Sequence, residues 1–122
     1  MQEKSNNSIV NILWVARFIK FKHPEKAIKL AKFLKEKNYK FKITMIGTGP
    51  LQIKTIQKRD KYNLTKEVEI PGSMPNDKVI EHMKNANIFI FTSDKQEGWG
   101  AVLNEAMNSG CAIVANQEIG AV

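Results

Sequence analysis

The chain has 122 residues and a net charge of +7, with 43% hydrophobic and 25% charged residues. This composition is typical of one ordinary globular domain and excludes a disordered or fibrous protein. No apolar run approaches the roughly 20 residues of a membrane span, and the amino terminus lacks the apolar core of a secretory signal. Cys111 is the single cysteine, so no disulfide can form within the chain. We therefore expect a cytoplasmic protein.

The first half of the chain predicts two strands and two helices. Ile9–Val15 is a short apolar, β-branched run that suits a buried strand, and residues 1–8 form a polar leader before it. A loop leads to Pro24, which begins a helix with apolar residues on one face and lysines on the other. Phe41–Ile46 predicts the second strand, which ends at the Gly-Thr-Gly-Pro turn over 47–50. A second, weaker helix is predicted from four apolar side chains, Leu51, Ile53, Ile56 and Tyr62.

The second half continues the alternation. Val68–Ile70 predicts a short third strand that ends at Pro71-Gly72. The third helix is predicted to begin at Pro75 with three side chains inward, Val79, Ile80 and Met83. Asn87–Phe91 predicts the fourth strand. A helix over Gly100–Asn108, closed by Gly110, then precedes a fifth strand over Cys111–Ala115.

Five strands separated by helices form βα units, which predict an α/β fold, a Rossmann-like three-layer sandwich around a parallel sheet. Right-handed crossovers favour the strand order 3-2-1-4-5. In that order the connections leave strands 1 and 4 in opposite directions, so a ligand crevice is expected beyond the carboxyl ends of these two strands. The topology therefore selects two loops for the candidate site, Ala16–His23 and Thr92–Gly100.

The two selected loops carry residues suited to an anionic ligand. Arg17 supplies a guanidinium fork and Lys22 a point charge, a combination that suits a diphosphate. Gly98 and Gly100 let the main chain approach a ligand closely, and the amides that follow begin a helix, whose N-terminus attracts anions.

Glu105 follows in the second turn of that helix. We expect Leu103, Ala106 and Met107 to form the core side there, which leaves Glu105 facing the cleft or solvent. A carboxylate just behind a phosphate site suits the two hydroxyl donors of a ribose.

The segment Glu97–Ala115, EGWGAVLNEAMNSGCAIVA, resembles the signature of the retaining glycosyltransferases of the GT-B fold, family 4 type. That signature has two glutamates separated by seven residues, a Gly-aromatic-Gly turn, and an E-A-M block before a small-residue turn into a strand. Upstream, Val15–Phe18 with Lys22, residues 45–50 and residues 68–72 resemble further blocks of the same family in the same order.

The resemblance implies one half of a GT-B fold, the donor domain of a hexosyltransferase in polysaccharide or glycoconjugate synthesis. The reaction would be retaining, metal-independent transfer from a nucleotide sugar, UDP- or GDP-linked, to an acceptor hydroxyl, with no other cofactor. Glu97, Arg17 and Lys22 would be catalytic, Glu105 would hold the ribose, and the loop over 72–74 would lie against the base. The implied donor contacts are Arg17, Lys22, Gly72, Ser73, Met74, Glu97, Gly98, Trp99, Gly100, Ala101, Val102 and Glu105.

The sequence departs from the family pattern in three small ways and one large one. Ala16 and His23 stand where the family usually has glycine, and Ala112 stands where it often has proline. The family has two Rossmann-like domains, and residues 9–122 correspond to the second without its sixth strand. We therefore expect a domain truncated at its C-terminus that binds donor and transfers little, with the acceptor glycan or lipid-linked sugar contacting a missing N-terminal domain.

The positive charge is concentrated in one segment. Residues 20–42 contain nine lysines and two glutamates, which accounts for the whole net charge. This is either a solvated helix face or a surface that docks on anionic lipid at the inner face of a membrane. A nucleic-acid-binding module is an alternative, with four aromatic residues interleaved among the lysines, Phe18, Phe21, Tyr39 and Phe41. Because no RNA-module signature is present, we expect no nucleic-acid partner.

A sugar-nucleotide epimerase of the same fold is the other alternative to a glycosyltransferase.

Overall fold

The computed structural model of the chain describes residues 9–93 and 105–115. These residues form a five-stranded sheet in the order β3-β2-β1-β4-β5, with every neighbouring pair parallel. The predicted Rossmann-like α/β topology is therefore confirmed. The elements are β1 Val10–Val15, α1 Pro24–Glu36, β2 Phe41–Ile46, α2 Gln52–Lys61, β3 Val68–Gly72, α3 Asn76–Asn85, β4 Ile88–Phe91 and β5 Ala112–Ala115.

Two apolar clusters hold helices against the two faces of the sheet. On one face α1 packs through Ala27, Ile28 and Ala31, all of them at most 1% exposed, against strand residues that include Trp14 and Ile43. On the other face α3 packs through Val79 and Met83, together with Ala106 and Cys111. Ile28 is buried beside the two alanines, and Leu30 and Leu34 are half-buried against the same cluster.

The third strand is longer than predicted. It continues through Pro71 to Gly72 and pairs with β2 across an irregular register between Thr44 and Ile46. Proline is tolerated because β3 is an edge strand of the described sheet, where its missing N–H need not meet a second neighbour. With the shifted register, β3 therefore extends two residues further along β2 than predicted, from Ile70 to Gly72, before the chain turns.

Four apolar residues are exposed against expectation. Ile9 and Val10, the first two residues of the predicted buried strand, are 44% and 38% exposed. Ile53, predicted from its spacing to belong to the apolar set of α2, is 71% exposed, and the buried side chain of that helix is Thr55. The Thr55 hydroxyl donates to the Leu51 carbonyl at 2.7 Å, so a polar side chain is buried without an unsatisfied group. Met107, predicted to face the core, is 57% exposed, because the turn over residues 105–108 buries Ala106 instead.

None of the helices in the described part of the chain has the length and apolar character that a membrane span requires.

Candidate functional site

A cleft of about 390 Å³ lies at the carboxyl edge of the sheet. Its walls come from the segments that follow β1, β2 and β3, and its floor includes the end of β4 and the first turns of α3. The prediction placed the crevice beyond β1 and β4; the structure extends it across the ends of β2 and β3. The lining residues are Val15, Ala16, Arg17, Lys22, Ile46, Gly47, Thr48, Ser73, Met74, Val79 and Phe91.

Backbone hydrogen bonds fix the segment that carries Arg17. The amide of Ala16 donates to the Ile46 carbonyl at 3.1 Å, and the amide of Phe18 donates to the Thr48 carbonyl at 2.9 Å. The Phe18 side chain is fully buried and meets the Trp14 ring edge to face, with the ring centroids 4.8 Å apart. The residue between these anchors, Arg17, is exposed and lines the cleft, so its guanidinium extends from a rigid support.

The Gly-Thr-Gly turn after β2 can lie this close to the β1 loop only because Gly47 and Gly49 lack side chains. A Cβ on Gly47 would be 1.9 Å from the Ala16 carbonyl oxygen, and one on Gly49 would be 2.6 Å from the Phe18 carbonyl oxygen. The φ angles of Gly47 and Gly49, +140° and +155°, are also rarely adopted by other residues. The two glycines therefore support the main chain on both sides of Arg17.

A buried hydrogen-bond chain ties the Lys22 segment to the end of β4. The indole N–H of Trp14 donates to the Thr92 hydroxyl at 2.7 Å, and that hydroxyl donates in turn to the Lys22 carbonyl. Trp14 and Thr92 are each 1% exposed. The Lys22 ammonium lies 6.0 Å from the centroid of the Phe91 ring and 5.3 Å from that of Phe21. The loops that the strand order selected thus meet at Lys22, and Trp14, which the sequence indicated only as core, is part of the support.

His23 explains one departure from the family pattern. It lies between the 3₁₀ turn Lys20–Lys22 and α1, with φ 52° and ψ 58°. Glycine suits this left-handed conformation best, and histidine is among the residues that adopt it more readily than most. Its Nδ1 lies 2.7 Å from a carboxylate oxygen of Glu25, a contact that fixes the turn from which α1 begins.

The opposite wall of the cleft is more open. One backbone hydrogen bond, from the Gly47 amide to the Gly72 carbonyl at 2.9 Å, links the end of β3 to the turn after β2. Gly72 has φ +97°, and no described atom lies within 4 Å of a Cβ placed on it. Ser73 is exposed, and Met74 is half-buried against the α3 cluster. All three predicted base-side residues are thus at the cleft, Ser73 and Met74 as lining and Gly72 beside them.

The remaining predicted residues divide into two groups. Glu105 is half-buried at the start of the helical turn before β5 and is not among the described residues that line the cleft. Six further residues lie outside the described part of the chain, Glu97, Gly98, Trp99, Gly100, Ala101 and Val102. The roles of these seven residues stay predictions, as do those of Arg17, Lys22 and residues 72–74.

The cleft combines an apolar floor with two cations. Its described lining includes the side chains of Val15, Ile46 and Phe91 but no carboxylate, so the charge contributed by Arg17 and Lys22 is positive. Such a surface suits a ligand with an anionic group and a flat, less polar group beside it. Val15, Ile46 and Phe91 were not predicted as lining residues, although the strand order already placed the ends of β1, β2 and β4 at the same edge. Among the described residues no three potential metal ligands come together.

The aromatic residues assigned to the nucleic-acid alternative are largely inaccessible. Phe18 is fully buried and Phe41 is 8% exposed, so neither ring can stack on a base. Tyr39 alone of the four is well exposed, at 62%.

The family model described as glycosyl transferases group 1 matches residues 2–122. The chain belongs to this family. The resemblance drawn from the sequence blocks is thereby confirmed as far as the group 1 glycosyl transferases, while the family 4 type and the retaining reaction stay predictions.

Individual relatives and solved structures are also glycosyltransferases. A putative colanic acid biosynthesis glycosyltransferase, WcaL of Escherichia coli, is 29% identical over 91% of this chain, which spans 29% of the length of WcaL. Among solved structures, the C-terminal domain of the group 1 glycosyl transferase LpcC from Francisella tularensis has 26% identity and a TM-score of 0.74, covering 87% of this chain and 57% of that one. TarM of S. aureus, crystallised with UDP, has a TM-score of 0.74 at 21% identity, covering 86% of this chain and 21% of that one. The chain thus spans less than a third of its curated relative.

Proposed function

We propose that the chain is the donor-binding domain of a retaining glycosyltransferase and that the cleft at the carboxyl edge of the sheet binds a nucleotide-diphosphate sugar. The observation that carries this proposal is the convergence of Arg17 and Lys22, from the two ends of one loop, on a cleft with an apolar floor. Charge-assisted hydrogen bonds to a diphosphate contribute about 1.5–3 kcal/mol each. Membership of the group 1 family favours transfer over the epimerase alternative.

In this proposal the two cations act on the leaving group. Transfer breaks the bond between the anomeric carbon of the sugar and the diphosphate oxygen, and the electron pair stays on that oxygen. An acceptor hydroxyl forms the new bond to the same carbon, on the same face, and its proton passes to the departing phosphate. Arg17 and Lys22 stabilise the charge that accumulates on the diphosphate, the kind of fixed electrostatic support that lowers a barrier most.

The other contacts complete the donor site. Glu97 binds hydroxyls of the transferred sugar, Glu105 accepts hydrogen bonds from the ribose, and main-chain amides of residues 98–102 add to the phosphate contacts. The base lies against the wall formed by residues 72–74. We propose a uridine nucleotide as the donor, since the S. aureus TarM structure with the same fold was crystallised with UDP, and we take GDP as the second candidate.

Residues 1–122 alone are expected to bind donor and to transfer little sugar. The chain covers 29% of the length of the E. coli relative, and in a two-domain enzyme the acceptor would contact the other domain. A turnover assay with a UDP-sugar and a range of acceptor glycans checks this expectation. Robust transfer by the chain alone would contradict it.

A thermal-shift panel with UDP, GDP and ADP tests the donor site. We expect UDP to give the largest rise in melting temperature, and we expect Arg17→Ala and Glu105→Ala each to abolish most of that rise. Lys66→Ala removes an exposed lysine outside the cleft and should leave it unchanged. If UDP stabilised both site variants as well as the unsubstituted protein, the assignment of the site would be wrong.

A further inference from the structure

The structure divides the lysine-rich segment into parts with different environments. Lys22 lines the donor cleft. Lys35 and Lys42 pair with carboxylates next to or within β3, their ammonium nitrogens lying 3.5 Å from Glu67 and 3.4 Å from Glu69. Lys22 is thus part of the proposed donor site, and the charges of Lys35 and Lys42 are balanced by carboxylates of the domain.

Four of the other six lysines of the segment lie beside lysines of α2 that are distant in sequence. Two cavities of about 380 and 490 Å³ lie along the line where α1 faces α2, and they share Glu25 and Lys58 as lining residues. We call this surface the basic groove. The lysines that line it are Lys20, Lys26, Lys29, Lys32, Lys54, Lys58 and Lys61.

Little negative charge balances the groove. Glu25 is the one carboxylate among its described lining residues, and it contacts His23 at 2.7 Å. Lys32 has a distant partner, with its nitrogen 3.8 Å from Glu36. Five of the lysines have no carboxylate at ion-pair distance among the described residues: Lys20, Lys29, Lys54, Lys58 and Lys61. So many like charges side by side repel one another unless an anionic partner covers them.

We propose that the basic groove docks the domain onto the surface of an anionic phospholipid membrane. Charge complementarity gives the first reason, since each lysine near such a surface strengthens binding about fivefold. Ile53 gives the second: it is 71% exposed and lies one turn before Gln57, which lines the groove. An aliphatic side chain flanked by lysines suits the boundary between headgroups and acyl chains.

This geometry favours lipid over nucleic acid and leaves the donor cleft accessible. Phe18 and Phe41, which could have stacked on bases, are buried, whereas Ile53, the exposed apolar residue beside the groove, is aliphatic. Because α1 and α2 cover one face of the sheet, docking through them places the strands parallel to the membrane. The cleft at the carboxyl edge then opens along the membrane surface. The proposal does not depend on donor binding.

Co-sedimentation with vesicles tests it, using phosphatidylcholine alone and phosphatidylcholine mixed with phosphatidylserine. The groove variant is Lys29→Gln/Lys54→Gln/Lys58→Gln; the control is Lys40→Gln/Lys66→Gln/Lys84→Gln, which removes the same charge from exposed sites outside the groove. We expect the unsubstituted protein to bind the anionic vesicles selectively. The groove variant should lose more than about tenfold in affinity and the control less than about threefold, with both effects reduced at high salt. Ile53→Ser should weaken the binding that remains at high salt.

Three results would overturn the proposal: no binding to the anionic vesicles, equal losses in the two triple variants, or displacement from the vesicles by an RNA oligonucleotide that binds the groove more tightly. UDP binding measured in the same variants is an independent readout. We expect it to be unchanged, so its failure in the unsubstituted protein would count against the donor site and not against the groove.

Discussion

The two walls of the cleft are built in different ways. The wall after β1 is anchored by two backbone hydrogen bonds to the strand 2 side, by the buried Phe18 ring, and by the Thr92 hydroxyl at its far end. The wall after β3 has one backbone hydrogen bond to the turn after β2 and an exposed Ser73. One wall is an extension of the hydrophobic core, while the other is an edge of the domain.

Under the proposed function, this difference would separate two parts of donor recognition. A diphosphate carries the same charge whatever base is attached, so cations on a rigid wall bind every nucleotide donor in the same way and lose little entropy in doing so. Selectivity among bases would then come from the open wall, where substitutions cost the fold little. We expect changes at the two walls to differ accordingly, in stability and in the ligand they affect.

The largest contrast is between two glycines. Gly47→Ala places a Cβ 1.9 Å from the Ala16 carbonyl oxygen at a φ of +140°, and we expect it to lower the free energy of unfolding by about 3 kcal/mol or more. Gly72→Ala meets no described atom within 4 Å and should cost about 1 kcal/mol through its positive φ alone. Urea denaturation of both variants measures the difference. Equal losses would contradict the distinction between a rigid and an open wall.

Arg17→Ala should have the next largest effect, on binding and not on stability. Arg17 is exposed, so its removal disturbs no packing, but the diphosphate loses a charge-assisted hydrogen bond. We expect affinities for UDP, GDP and inorganic pyrophosphate to fall together by about tenfold to a hundredfold. Titration calorimetry gives the three affinities, with Arg17→Lys as the variant that keeps the charge. A loss for UDP alone would place Arg17 at the base.

Thr92→Val tests the buried support of Lys22. It replaces a hydroxyl that accepts from Trp14 and donates to the Lys22 carbonyl, and leaves the indole N–H without its partner. We expect the free energy of unfolding to fall by about 1–2 kcal/mol and the affinity for UDP by a few-fold. Thr92→Ser keeps the hydroxyl and should retain the affinity for UDP, with a smaller loss of stability than the valine variant, since only a buried methyl group is removed. If the serine variant lost as much as the valine variant, packing of the methyl group and not the hydrogen bonds would be responsible.

The sequence predicted the framework of this cleft better than its details. Alternating apolar runs and helix starts were sufficient for the strand order, because right-handed crossovers leave few arrangements of five parallel strands. The order in turn placed Arg17 and Lys22 at one edge. The sequence segments that resemble a glycosyltransferase family indicated membership of that family. The match to the group 1 family model confirmed the membership.

Details that depend on tertiary contact could not be predicted in the same way. Ile53 fits an apolar pattern, yet the short helix α2 buries Thr55, whose hydroxyl finds a carbonyl one turn earlier. Pro71 signals a strand end, and only its position at a sheet edge lets the strand continue. The link from Trp14 through Thr92 to Lys22 joins residues 78 and 70 positions apart, which no local pattern encodes. The basic groove, likewise, needs α1 and α2 side by side.

Ser73→Ala should have the smallest effect and is the most specific test of the open wall. The side chain is exposed, so we expect the free energy of unfolding to change by less than about 0.5 kcal/mol. If residues 72–74 contact the base, the loss of one neutral hydrogen bond weakens UDP binding by about twofold to tenfold and leaves pyrophosphate binding unchanged. Ser73→Thr, which keeps the hydroxyl, is the control for calorimetry. An equal loss of pyrophosphate affinity would mean that the open wall also binds the phosphates. The proposal that one wall binds the phosphates and the other binds the base would then be wrong.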